Sequence, residues 1–172
     1  MNSHVSPRFA LIPALILSSL PLSAQENNSI FRLPLQPVTA SKRGVVFKAP
    51  AAREFGRQCS RQSPTGWWSS VPPSKAEIQA LEAALPGWIR AHQLKNWKAS
   101  FEVFRYQYGA LVRGKKRLIY INAIPADDDF GSKEQLWRRS PLIVCDGGTG
   151  FWGLEFDVMT KRFQNVDFNG PA

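Results

Sequence analysis

Between Phe104 and Ala123 the chain alternates with a period of two for almost its whole length. Phe104, Tyr106, Tyr108, Ala110 and Val112 are separated by Arg105, Gln107, Gly109 and Leu111. After Gly114-Lys115, Ile119, Ile121 and Ala123 alternate with Leu118, Tyr120 and Asn122. Successive side chains of a strand point to opposite faces, so this pattern predicts two half-buried antiparallel strands. A two-residue turn at Gly114-Lys115 sets Tyr108 opposite Ile121 and Ala110 opposite Ile119, stacking apolar residues on one face. Glycine at the first turn position suits a type II′ turn. The other face then carries Arg105, Gln107, Tyr120 and Asn122, expected to meet solvent or a partner. With neither side chain assigned to the core, replacing Arg105 and Tyr120 together by alanine is expected to leave stability nearly unchanged. The basic Arg113 to Arg117 cluster becomes a solvated hairpin tip.

The last thirty residues repeat the theme. Leu142 to Asp146 reads as a strand, followed by the glycine-rich break Gly147-Gly148-Thr149-Gly150. Trp152, Leu154, Phe156 and Val158 then alternate with Gly153, Glu155 and Asp157, and Val166 and Phe168 resume the pattern. Pairing Leu154 with Val166 and Trp152 with Phe168 leaves Met159 to Lys161 as a three-residue loop. Glu155 and Asp157 fall on the face expected to be wet. The glycines of the break are expected to permit positive-φ connections.

One helix is clearly signalled. Ser74 and Glu77 form a capping box, which satisfies backbone N–H groups at the helix start. Ile78, Leu81, Leu85, Trp88 and His92 follow on one helical face. Pro86 lies inside that pattern and predicts a stop near Leu85 or a kink there.

Met1 to Ala24 has the organisation of a secretory leader: Arg8, an apolar stretch from Phe9 to Leu22, and small residues at Ser23-Ala24. The apolar run is broken by Pro13 and Pro21 and is too short to span a membrane. Only Arg8 would leave with it, so the excess of 22 Lys and Arg over 13 Asp and Glu is hardly altered. Residues 25–58 read as a linker or loosely docked arm, with Val45-Val46-Phe47 as a short edge strand at most. Arg53, Arg57 and Arg61 read as a solvated stripe. Residues 59–172 are then a single α+β domain. Cys59 and Cys145 are the two cysteines, and in an exported chain they are expected to form a disulfide.

Signals for chemistry are sparse. His92 is the one histidine outside the leader and sits on the apolar helical stripe, so a His-based triad and a zinc site lack their ligands. Asp127-Asp128-Asp129 does not match a calcium loop. The glycine-rich break lacks the Lys-Ser/Thr ending of a P-loop. Catalytic residues, metals and cofactors are therefore expected to be none. Nucleic acid is an unfavoured partner, because most aromatics belong to core faces.

One helix followed by antiparallel strands, over about residues 66–170, resembles the cystatin-like and NTF2-like folds, implying a curved antiparallel sheet of about five strands wrapped on one principal helix. Cystatins carry a Gln-x-Val-x-Gly loop. The nearest text here, Gln107-Tyr108-Gly109-Ala110-Leu111, lies inside a strand, so protease inhibition does not carry over. The Trp67-x-x-x-Val71-Pro72-Pro73-Ser74 and Cys145-Asp146-Gly147-Gly148 segments also resemble small exported bacterial proteins without an assigned activity. The expected function is a periplasmic or secreted binding, inhibitory or accessory module with a protein partner. Its expected surface joins Arg105, Gln107, Tyr120 and Asn122 to Asp146, Gly147 and Gly148. The alternatives are an envelope hydrolase using Asp146 and a cationic binder of anionic envelope polymers.

Overall fold

Strand β3 (Phe104–Arg113) and strand β4 (Lys116–Pro125) form the hairpin at the centre of the sheet. Tyr108 lies opposite Ile121 and Ala110 opposite Ile119, as the alternation requires. Gly114 takes φ +60°, and Lys115 is not among the residues at positive φ, the II′ pattern. Gly114→Val should therefore destabilise the domain by about 1–2 kcal/mol in chemical denaturation, because a β-branched residue is forced into a left-handed conformation. Lys115→Ser should be nearly silent, and equal effects would place the turn elsewhere. This computed structural model describes residues 41–62, 64–93, 100–126 and 136–171. The leader (1–24), residues 25–40 of the expected linker and Asp127-Asp128-Asp129 lie outside the described residues.

The fold is mixed α+β with a six-stranded open sheet in which β1 (Gly44–Phe47), β3, β4, β5 (Trp152–Asp157) and β6 (Arg162–Phe168) lie in that order. The short β2 (Trp67–Trp68) pairs with Leu111 and Val112 of β3, beyond the stretch that β1 occupies. Strand β1 runs parallel to β3, whereas the other pairings are antiparallel. One sheet face packs against helix α2 (Lys75–Ala91). Ile78, Leu81, Leu85 and Ile89 meet Tyr106, Tyr108, Ile121, Trp152, Leu154 and Phe156 there.

The helix begins as expected, with both arms of the Ser74–Glu77 capping box formed. It does not stop at Pro86 but runs on to Ala91. Side-chain anchoring on both sides of the proline explains this. Leu81 and Leu85 before it and Ile89 after it are buried, and Glu82 accepts hydrogen bonds from Ser41 (2.7 Å) and Tyr108 (2.9 Å). Burial of each large aliphatic residue contributes about 1.5–3 kcal/mol, enough together to offset one missing backbone bond. Ile89 takes the buried place expected of Trp88. His92, expected on the stripe, is exposed and stacks on the Trp88 ring at 4.3 Å.

Residues 41–58 are not a loose arm. Val45, Val46, Phe47 and Phe55 are all buried, and α1 (Ala49–Ala52) and a 3-10 turn at Arg53–Arg57 cover the second face of the sheet. Phe47, Phe55 and Tyr120 there join Trp137 of α3 (Leu136–Arg139), with Trp68, Leu142, Ile143 and Phe151 at the margin. A strand buried on both faces has no polar alternation, which is why β1 reads weakly in sequence.

Two further expectations change. Leu142 to Asp146 is not a strand but an irregular strap across that second face. In the last hairpin Trp152 does oppose Phe168, but a bulge follows and Glu155 opposes Gln164. Asn165, at φ +53°, takes up the extra residue, so the loop lengthens to Val158–Lys161 and Val166 turns outward.

Candidate functional site

The four polar residues expected on an open sheet face have been covered over. Gln107, Tyr120 and Asn122 are fully buried, and only Arg105 retains partial exposure. The expected surface therefore does not exist at those three positions. Removing the Tyr120 ring cannot be silent, since it packs against Phe55 (5.8 Å) and Trp68 (6.1 Å). The covering layer consists of residues 49–61 and 137–147, which period-two reasoning on β3 and β4 has no means of placing.

What covers these polar groups also satisfies them. Gln107 Nε2 donates to the carbonyls of Trp137 (2.6 Å) and Ser140 (2.8 Å). Its Oε1 accepts from Leu142 N (2.8 Å) and Asn122 Nδ2 (3.0 Å). Asn122 Nδ2 also donates to the Leu142 carbonyl at 2.9 Å. The guanidinium of Arg61, buried, donates to Asn169 Oδ1, Tyr120 Oη (3.0 Å) and Asn122 Oδ1 (2.9 Å). Asn169 Nδ2 in turn holds the carbonyls of Val144 (2.6 Å) and Asp146 (2.7 Å). The strap at 141–147 thus hangs on side-chain amides instead of a sheet ladder. Burial raises the Tyr120 phenol's pKa, against the opposing pull of Arg61.

Gln58 and Asn169 carry no periodic signal and escaped the sequence reading, while the spacing of Arg61 from Arg53 and Arg57 pointed to a solvated stripe. One clue was available: Gln58 and Arg61 flank Cys59. Cys59 and Cys145 form the disulfide, with Cα atoms 5.0 Å apart, which fixes residues 58–61 beside the strap. Arg61 therefore points into the protein and is not part of a solvated stripe.

At the glycine-rich break, Gly147 (φ +87°) and Gly148 (φ +56°) do adopt left-handed conformations. Gly148 N donates to the Gly170 carbonyl at 2.9 Å, so this amide already has a partner within the chain. The Asp146 side chain is exposed. Glu155 and Asp157, expected on a wet face, are buried. Glu155 accepts from Arg113 through both oxygens (2.5 and 2.8 Å), from Asn165 (2.8 Å) and from Gln164 (3.3 Å). The hydrogen bond to Glu155 pushes the Arg113 guanidinium further up.

That ion pair holds Thr65 and Asn165, two of the residues lining a surface depression of about 420 Å³ together with Gln62, Val166 and Asp167. Arg113 reaches past Glu155 to the Thr65 carbonyl (2.6 Å from Nη2), and Gln62 N donates to Asp167 Oδ2 at 2.5 Å. Both rims are thus tied to the sheet. Two residues beyond Thr65 stands Trp67, 82% exposed, an unusual state for the largest apolar side chain. Among the described residues no group of three or more His, Cys, Asp and Glu side chains is placed to hold a metal ion. No helix of the described residues is long and apolar enough to cross a membrane. No protein-family model, curated protein or solved structure matches the chain, so a functional reading rests on its own geometry.

Proposed function

We propose that this chain is an exported, non-enzymatic binding module, inhibitory or accessory in role, that docks a protein partner in the envelope or outside the cell. The observation that carries this reading is the depression between Gln62, Thr65 and the bulged strand β6, with exposed Trp67 two residues along the chain from Thr65. Its walls are held by charged and backbone hydrogen bonds before any partner arrives, which lowers the ordering cost of association. Tryptophan is the side chain most often found to dominate a protein interface. The inward-turned amides of Gln107, Asn122 and Asn169 support a binding role over catalysis, because their hydrogen bonds go to the chain itself. The disulfide and the leader-like first 24 residues support export. At the level of architecture we read the helix and the β3–β6 antiparallel meander as cystatin-like or NTF2-like.

The test places a photo-cross-linker at Thr65 and exposes the protein to an envelope fraction. A cross-linked protein is expected. Trp67→Ala should weaken its binding at least about ten-fold while the thermal midpoint stays put. Unchanged affinity of that partner for Trp67→Ala would move the contact surface elsewhere.

A further inference from the structure

We infer that Arg105 and Arg138 form a recognition site for a phosphate monoester. Trp137 is the platform. Its indole is buried in the second core, and both guanidinium groups lie over it, Arg138 at 4.1 Å and Arg105 at 5.6 Å from the ring centroid. Arg138 Nη2 donates to the Lys42 backbone carbonyl at 3.0 Å, which ties it to the segment before β1.

Two features point to an anionic ligand. The first is the charge balance. Among the described residues the ion pairs are Glu54–Arg57, Glu77–Arg117 and Glu155–Arg113, and none of these includes Arg105 or Arg138. Two like charges on one ring repel each other, and stacking on the indole offsets this only in part. The second is Arg105 itself. Its side chain makes no hydrogen bond to the described residues, and its Nη1 is buried without a partner among them. Its remaining nitrogens keep access to solvent, since Arg105 is only partly covered. The other arginine buried against this sheet face, Arg61, is saturated by Tyr120, Asn122 and Asn169. The Arg105 nitrogens that keep solvent access, and not the buried Nη1, are thus donors without an acceptor among the described residues, and a charged hydrogen bond made there is among the stronger ones a ligand can add.

The ligand's charge follows from the two guanidinium groups that share the Trp137 ring. A single carboxylate brings one negative charge and two oxygens. A phosphate monoester brings about −1.5 to −2 near pH 7 and three acceptor oxygens, enough to bridge two guanidinium forks. The site is separate from the depression at Gln62 and Thr65, and neither proposal depends on the other.

A monoester phosphate can belong to a soluble molecule or to a lipid headgroup, and two arms distinguish them. Inorganic phosphate is titrated by calorimetry, and flotation is measured with phosphatidylcholine vesicles with and without phosphatidic acid. Binding in at least one arm is expected, and the arm that responds identifies the source. Arg105→Gln and Arg138→Gln should each weaken binding at least five-fold. The double variant Arg90→Gln/Arg162→Gln removes two exposed charges elsewhere and should change it less than two-fold. Should Arg105→Gln fail to fold, Arg138→Gln on the short exposed helix still reads the site. No binding in either arm, or an equal loss in the remote double variant, would overturn the inference in favour of net charge alone.

Discussion

Replacing Gln107 by leucine is expected to lower the free energy of unfolding by about 3–5 kcal/mol, although the two side chains are similar in size. Gln107 is a fully buried residue with its amide saturated, two donors on the carbonyls of Trp137 and Ser140 and two bonds accepted from Leu142 and Asn122. Leucine fills the space and removes the partner of the Trp137 and Ser140 carbonyls and the Leu142 N–H, while Asn122 Nδ2 keeps only its bond to the Leu142 carbonyl. Each buried, unpaired polar group costs about 1–3 kcal/mol, and water entering under the strap recovers part of it. Gln79→Leu, the same exchange on the exposed face of α2, should change stability by less than about 0.5 kcal/mol. Urea denaturation of both variants reads the difference directly. A shift of the Gln107→Leu midpoint no larger than that of Gln79→Leu would mean that the strap is not held by this amide.

Loss of the disulfide should have an effect of the same order. Cys59 and Cys145 are separated by 86 residues, and closing so long a loop removes conformational freedom from the unfolded chain worth about 4–5 kcal/mol. Both half-cystines are exposed, so Cys59→Ser opens no cavity and the loss is mainly that entropy. The bridge also joins the two segments that cover the second sheet face, residues 58–61 and the 141–147 strap. Amide exchange in Cys59→Ser should therefore accelerate first at Leu142 and Val144, whose N–H groups bond Gln107 and Gln58. The measurement is the denaturation midpoint with hydrogen exchange on the native protein. Two titratable thiols in the purified protein, or an unchanged midpoint in Cys59→Ser, would contradict it.

Much of the fold could be read from local pattern, and the reason differs from element to element. The β3–β4 register followed from alternation alone, because slipping the pair by one residue would bury the wrong face of both strands. The start of α2 followed from Ser74 and Glu77, whose mutual hydrogen bonds lie within one turn. The disulfide followed from compartment chemistry and a count of two cysteines. These are short-range or pairwise constraints, and nearby residues state them.

Tertiary structure decided the rest. Polar residues at alternate positions mark a face without saying what covers it, and here residues 49–61 and 137–147 return to cover it. Val45 to Phe47, without alternation, became a strand buried on both sides only because β3 offers it a parallel edge. Helix α2 passes through Pro86 because its flanking residues are anchored by a sheet made later in the chain. The candidate sites had the same origin. Arg105 and Arg138 are 33 positions apart and meet over Trp137, while Gln62 and Thr65 meet Asn165 to Asp167 across most of the domain. Contacts between residues so distant in the chain depend on the closure of the whole sheet, and no local run of amino acids encodes them.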